Sequence, residues 1–252
     1  MPMNLLVVDW DFFFPTPMAG GPPVEHSDLY AWPVADDAVH VELIWLRRVR
    51  KFQAVGMPLP RCTGYEGFWD RFRISPRAKV YYADSNAWAG HLFPSNLGGE
   101  GPWNYVHLYD AHHDCGYRNN HKSFDQWKAA GRIGAENWML AHYWNGSKLA
   151  VHFPPWRESM ERPAESPLIP VGMTIDDGSA PEIVFDAVYL CRSGAWVPSW
   201  CDDQFSDFLE ACPAQPVQIP QNRWNHPRPD VVRMAELGRS LGPRRGFVQT
   251  DT

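Results

Sequence analysis

The sequence predicts an α/β fold, a three-layer α/β/α sandwich on a mainly parallel sheet. Three observations carry this. Short apolar runs of strand length recur along the chain and alternate with segments of helical period. The first run, Asn4 to Trp10 (NLLVVDW), is apolar throughout its body, as a strand covered on both faces must be. Acidic or polar residues follow these runs directly, at the carboxyl ends where open α/β sheets keep their ligands. At 252 residues with 44% apolar content, one domain spanning 1–252 is expected, and no internal repeat is visible.

In chain order, the first strand closes with Asp9, Trp10 and Asp11. Strand alternation sets the two carboxylates on one side and Trp10 on the other, so Asp9 and Asp11 can converge on one ion. The plainer reading is that one of them caps a turn. Thr16 to Pro33 reads as loop, with His26 and Asp28 in it. Asp36 to Val55 has helical period, with Val39, Leu43, Leu46, Val49 and Phe52 on one stripe. Its Arg47, Arg48, Arg50 and Lys51 lie toward the end, where positive charge suits the dipole. After a loop from Met57 to Gly67 and an unassigned aromatic segment, Phe68 to Phe72, a strand is expected at Lys79 to Ala83 (KVYYA). The Asp84, Ser85 and Asn86 that follow are helix-capping types, and capping is favoured over metal ligation. His91 is a weaker ligand candidate.

The stretch that organises the chain is Asn104 to Tyr117, NYVHLYDAHHDCGY. Its first half is a buried strand, and its second half places Asp110, His112, His113 and Asp114 at the strand's carboxyl end. In an extended or tightly turned segment, Asp110, His112 and Asp114 at i, i+2 and i+4 can face one side and share a divalent cation. Short helices are expected at Ser123 to Ala130 and at Ala135 to Trp144. A strand at Lys148 to Phe153 carries His152, read as a satisfied core histidine, and an exposed excursion runs from Arg157 to Pro170. A strand at Glu182 to Cys191 precedes a helix at Asp202 to Cys212 with Phe205, Phe208 and Leu209 inward. Pro213 to Pro216 reads as a linker to a last helix near Asp230 to Arg239.

Composition excludes several classes. A net charge of −6 with scattered lysines and arginines offers no face for a nucleic-acid backbone. No apolar run approaches the roughly 18 residues that span a bilayer, and the start lacks the pattern of a signal peptide, so a cytoplasmic protein is expected. The five cysteines are an odd number without a CxxC pair, which suggests buried reduced thiols. Thirteen tryptophans and twenty-four prolines point to long ordered loops over the sheet.

The D-A-H-x-D element after one strand and the D-x-D after another resemble the metal signature of the arginase and deacetylase superfamily. The likeness extends through VVDWDFF, KVYYADSNAW, YVHLYDAHHDCGY and AVYLCRSGAWVPSWCDD, and is closest to the arginase-like family that contains the peptide arginases. The resemblance implies an α/β/α fold and two manganese ions. Asp110 would bridge them, with His112 on one ion and Asp114 on the other; Asp9 would be a second bridge and Asp11 a terminal ligand. It implies hydrolysis of an arginine side chain to ornithine and urea, the substrate being an arginine-containing peptide or a small guanidino compound. The chain departs from the pattern at two places: Ser85 matches a further histidine ligand, and the D-x-D precedes the DAHHD element. Ser85, Asp84 and His91 are therefore the candidates to complete the second ion. For the proton that the leaving amine needs, His121 and His113 are the nearest imidazoles in sequence, with a loop or sheet-edge role as the plainer reading of each. Glu136 can hold a guanidinium or simply favour a helix start. Two other readings stand beside this: a deacetylase-like amide hydrolase on one zinc ion, and a non-catalytic module that grips a peptide with its tryptophans.

Overall fold

Successive residues of the first strand feed two separate cores: Leu5 and Val7 are buried on one side of the sheet, Leu6 and Val8 on the other. Burying each such side chain is worth roughly 1.5–3 kcal/mol, which makes this strand the anchor of the fold. In a computed structural model of the chain, the described residues are 2–14, 38–117, 125–126, 129, 131, 133–156, 167–219 and 228–240. Seven strands, β1 (Asn4–Asp9), β2 (Arg73–Ala83), β3 (Tyr105–Tyr109), β4 (Lys148–Phe153), β5 (Gly172–Ile175), β6 (Val184–Cys191) and β7 (Gln215–Gln218), form one sheet in the order β5-β4-β3-β1-β6-β2-β7. Every neighbouring pair is parallel.

Among the described residues, the helices α1 (Ala38–Ala54), α2 (Met139–Trp144), α3 (Asp202–Ala211) and α4 (Val231–Ser240) cover the faces. Trp45 and Val49 of α1, Phe205 and Phe208 of α3, and Val231 and Ala235 of α4 pack with Leu6, Val8 and Val188. On the opposite face, Met139 and Leu140 of α2, with Trp103 and Trp138, pack on Val7, Leu108 and Tyr189. The sheet is thus the middle of three layers, as the sequence predicts.

Several elements differ from expectation. The stripe of α1 is centred on Trp45, Val49 and Phe52, while Leu43 is 53% exposed; the side chain of Val39 lies outside the described residues. β2 begins well before Lys79, and its pairing with β6 shifts register between Ile74 and Lys79, where Pro76 interrupts the run. The expected linker at Pro213 to Pro216 instead leads into β7. A proline is tolerated there because β7, among the described residues, is an edge strand paired with β2 alone. The opposite edge, β5, has no counterpart among the expected strands. Phe68–Arg71 is a 3-10 turn, and the helix expected from Ala135 is split into a 3-10 turn, Ala135–Asn137, and α2. The loop from Thr16 to Pro33, with His26 and Asp28, lies outside the described residues, as do most of the Ser123 to Ala130 helix and of the Arg157 to Pro170 excursion.

All five cysteines are buried free thiols. Among the described residues, no helix is long and apolar enough to cross a membrane.

The strand order fixes where a ligand can sit. From β1 the chain moves outward past β6 to β2, whereas from β3 it moves the other way to β4 and β5. Adjacent strands β1 and β3 therefore part in opposite directions, and the crevice at their carboxyl ends is a topological switch point.

Candidate metal centre

The two acidic motifs meet in that crevice. β1 ends at Asp9 and the chain turns at once into a 3-10 helix, Trp10–Phe13, which Asp9 caps by accepting from the Asp11 backbone N–H at 3.1 Å. Asp9 and Asp11 therefore come together through a capped turn and not through strand alternation. Trp10 does go to the opposite side, where its ring meets Phe13, Phe205 and Phe208 at 5.1–5.7 Å.

The DAHHD loop turns as tightly. The backbone N–H of His112 donates to Asp110 Oδ1 at 2.7 Å, and that of Ala111 donates across to Asp11 Oδ1 at 3.2 Å, tying the two motifs together. His112 Nδ1 lies 3.0 Å from Asp11 Oδ2 and 3.4 Å from Asp110 Oδ1, and its ring rests on Trp196 at 4.6 Å. One ligand atom from each of Asp11, Asp110 and His112 falls within 4.8 Å of the others, so this buried group can hold a metal ion. Two carboxylates and an imidazole suit manganese or zinc.

On the other side of Asp110 a second convergence forms. The Nδ2 of Asn86 lies 2.6 Å from Asp9 Oδ2, 3.1 Å from Asp110 Oδ2 and 3.0 Å from Asp114 Oδ2, within donating distance of each. Asp114 Oδ2 also accepts from Trp138 Nε1 at 2.7 Å. Asp114 and Ser193 both adopt positive φ, +47° and +56°. In a residue other than glycine, this conformation is sparsely populated and costs of the order of 1–3 kcal/mol.

Asp9, Asp11, Asp110 and Asp114 are each at most 7% exposed, and within the group only His112 can carry positive charge. Burial, reinforced by the charge of Asp11, pushes the carboxyls of Asp9 and Asp110 well above the usual range. Burial also pushes Asp114 up to about 7, against the pull of His112, the Trp138 N–H and the Asn86 amide.

The other candidates fall elsewhere. His113 is wholly buried, accepts from the Cys115 backbone N–H at 3.0 Å and stacks on Tyr117 at 4.2 Å. That is its plainer role. Ser85 caps the 3-10 helix Asn86–His91 by accepting from Ala87 N–H, and Asp84 pairs with Arg192, so neither points into the group. His91 is exposed. Glu136 is half-buried, and its carboxylate folds back over Gly134, 2.7 Å from where a Cβ there would sit. His121 lies outside the described residues. His152 is satisfied but half-buried, not in the core: its Nε2 is 2.9 Å from His107 Nδ1 and its ring stacks on Tyr109.

Asn86, Trp138 and Trp196 join the site without standing among its sequence-predicted residues. Asn86 carries a signal, since it stands with Asp84 and Ser85 after a strand, but that signal is indistinguishable from a cap. Compared with protein-family models, curated proteins and solved structures, the chain matches none of them. Fold and geometry alone thus define it: an α/β protein with a seven-stranded parallel sheet and a buried Asp/Asp/His group able to hold a metal ion.

Proposed function

We propose that the protein is a metal-dependent ureohydrolase, a peptide arginase that converts arginine side chains to ornithine and releases urea. The observation that carries this is the meeting of Asp9 and Asp11 with Asp110, His112 and Asp114 in one buried group at the switch point. Asp11, Asp110 and His112 would hold one manganese ion, and Asp9, Asp110 and Asp114 a second. Two such ions supply a water ionised near neutral pH that can attack a planar guanidinium carbon.

The chain's own residues do the rest. Asp110 turns Oδ1 toward His112 and Oδ2 toward Asn86, so one carboxylate serves both positions. Trp196 covers one face of His112 and fixes the ring. A cavity of about 760 Å³, which none of Asp9, Asp11, Asp110, His112 and Asp114 lines, is walled by Phe12, Phe13 and Trp156, with Glu66 and Asp70 at it. Acids set against aromatic faces suit a cationic side chain carried on a longer ligand. Arg71, which also lines the cavity, is held by Asp176 at 2.8 Å, leaving Glu66 and Asp70 as its acidic contribution.

The Asp11, Asp110 and His112 group taken alone also fits a single zinc ion and amide hydrolysis, which metal content distinguishes. The test is mass spectrometry of arginine peptides incubated with the manganese-loaded protein. Loss of a carbodiimide unit at arginine, with urea released, is the expected result. Intact peptides in the presence of bound manganese would refute the reaction.

A further inference from the structure

We propose that Asn86 is itself a metal ligand, completing the second cation position with its Oδ1. This rests on the metal reading above and extends it to a residue that neither acidic motif contains.

The amide is 2% exposed and sits at the convergence of three carboxylates. Its Nδ2 lies within 3.1 Å of Oδ2 of Asp9, Asp110 and Asp114, yet an NH2 group has only two hydrogens for these three acceptors. Its Oδ1 is buried without a hydrogen-bond partner. A buried carbonyl oxygen left unsatisfied beside an oversubscribed donor is an arrangement that proteins avoid unless something else completes it. A cation among the three carboxylates does so. The oxygens then face the ion, the N–H donors are no longer needed, and rotation of the amide about Cβ–Cγ brings Oδ1 to the place Nδ2 holds. Asn86 is thus a ligand when the cation is bound. It occupies the place for which Ser85 is the sequence-adjacent candidate, and Ser85 is spent on capping.

The two roles predict opposite effects of aspartate. A ligand gains from the added negative charge, whereas a hydrogen-bond donor is destroyed by it. The experiment is manganese titration of the full chain, followed by the resonance of free Mn2+, for wild type, Asn86→Ala and Asn86→Asp, with circular dichroism as the folding control. Wild type should take about two ions. Asn86→Ala should keep one at wild-type affinity and bind the other about tenfold more weakly or worse. Asn86→Asp should bind two, the second at least as tightly as wild type, while melting lower than wild type in chelator because a fourth carboxylate faces the other three. If wild type binds two ions and folded Asn86→Ala binds both unchanged, Asn86 is no ligand although the metal reading stands. Loss of the second ion in folded Asn86→Asp likewise removes Asn86 from the ligand set. A wild-type chain that binds no manganese overturns both readings.

Discussion

Replacing Asp110 by asparagine should make the metal-free protein more stable and the metal-loaded protein less so. The Oδ2 atoms of Asp9, Asp110 and Asp114 all lie within 3.1 Å of Asn86 Nδ2, so no two are more than about 6 Å apart. At an effective dielectric constant near 20, two unit charges at that distance repel by about 3 kcal/mol. Asp110 faces two such neighbours, and part of the repulsion is already relieved by proton uptake, so about 2–3 kcal/mol should be recovered at pH 8. Asparagine keeps an oxygen for the His112 N–H and gives up the Oδ2 that faces Asn86, whose two N–H hydrogens then serve Asp9 and Asp114. The sign with pH follows from the raised carboxyls. Their protonated forms stabilise the fold below the unfolded value of 3.8, and that contribution is lost as pH climbs through the folded value, about 7 for Asp114. Metal-free wild type should therefore weaken between pH 5 and 8, and the variant should weaken less. With manganese at a hundred times its dissociation constant, wild type gains about 2.7 kcal/mol that the variant cannot. Urea unfolding at pH 5.5 and 8, in chelator and in manganese, measures all four quantities. A variant less stable than wild type in chelator at pH 8, or one that keeps wild-type manganese affinity, would refute the reasoning.

Four further outcomes are expected. Burial holds His142 down to about 4, with its Nε2 2.9 Å from the Ala89 carbonyl, and it also lowers His107 and His152 to about 4. Stability from these neutral rings is present above the unfolded value of 6.5 and lost as pH falls toward 4. His142→Gln, which keeps an N–H for Ala89, should flatten part of that acid slope in manganese-loaded protein, and an unchanged slope would exclude His142 as a contributor. Trp138→Phe removes the N–H that Asp114 accepts at 2.7 Å, so manganese affinity at pH 7 should fall about tenfold by calorimetry with the fold retained. Phe208, 2% exposed and stacked on Trp69 at 4.6 Å, should cost about 3–5 kcal/mol in urea unfolding when changed to alanine. Leu43→Asn, on the exposed side of α1, should change stability by no more than about 0.5 kcal/mol, and a larger loss would place Leu43 in contact with something.

What could be read from the chain alone follows the same physics. β1, β3 and β6 were legible because strands inside a covered parallel sheet must be apolar on both faces, and LLVV, YVHLY and AVYLC state that directly, whereas β4 (KLAVHF), with Val151 alone of its residues fully buried, was legible from its run of strand length. The edges were not. β5 (GMTI) is mostly exposed and β7 (QPVQ) is polar and contains proline; an edge needs one partner and little burial, so its composition looks like loop. In the site, Asp9, Asp11, Asp110, His112 and Asp114 stood out because acids placed directly after buried strands serve no packing purpose. His112 was separable from His113 because it stands with Asp110 and Asp114 at i, i+2 and i+4, whereas the left-handed conformation at Asp114 is something no periodicity reveals. Asn86 and Trp138 arrive from crossovers far from both motifs, and Asn86 differs from its capping neighbour Ser85 only in where the turn aims it.

Unfavourable local arrangements coincide at this one crevice. Asp9, Asp110 and Asp114 are held against burial and against each other. Asp114 and Ser193 sit at positive φ, and an amide oxygen is left buried beside its own overcommitted nitrogen. Each is destabilising by something like 1–3 kcal/mol, and apolar residues of similar size would remove most of the burden. Around them, β1 and its neighbours are packed with fully buried Leu, Val and Tyr, so the fold does not lack the means to close this crevice with hydrocarbon. A divalent cation, as proposed above, would account for the carboxylates together: it would replace the protons on them, turn their mutual repulsion into shared attraction, and supply the partner the Asn86 oxygen needs.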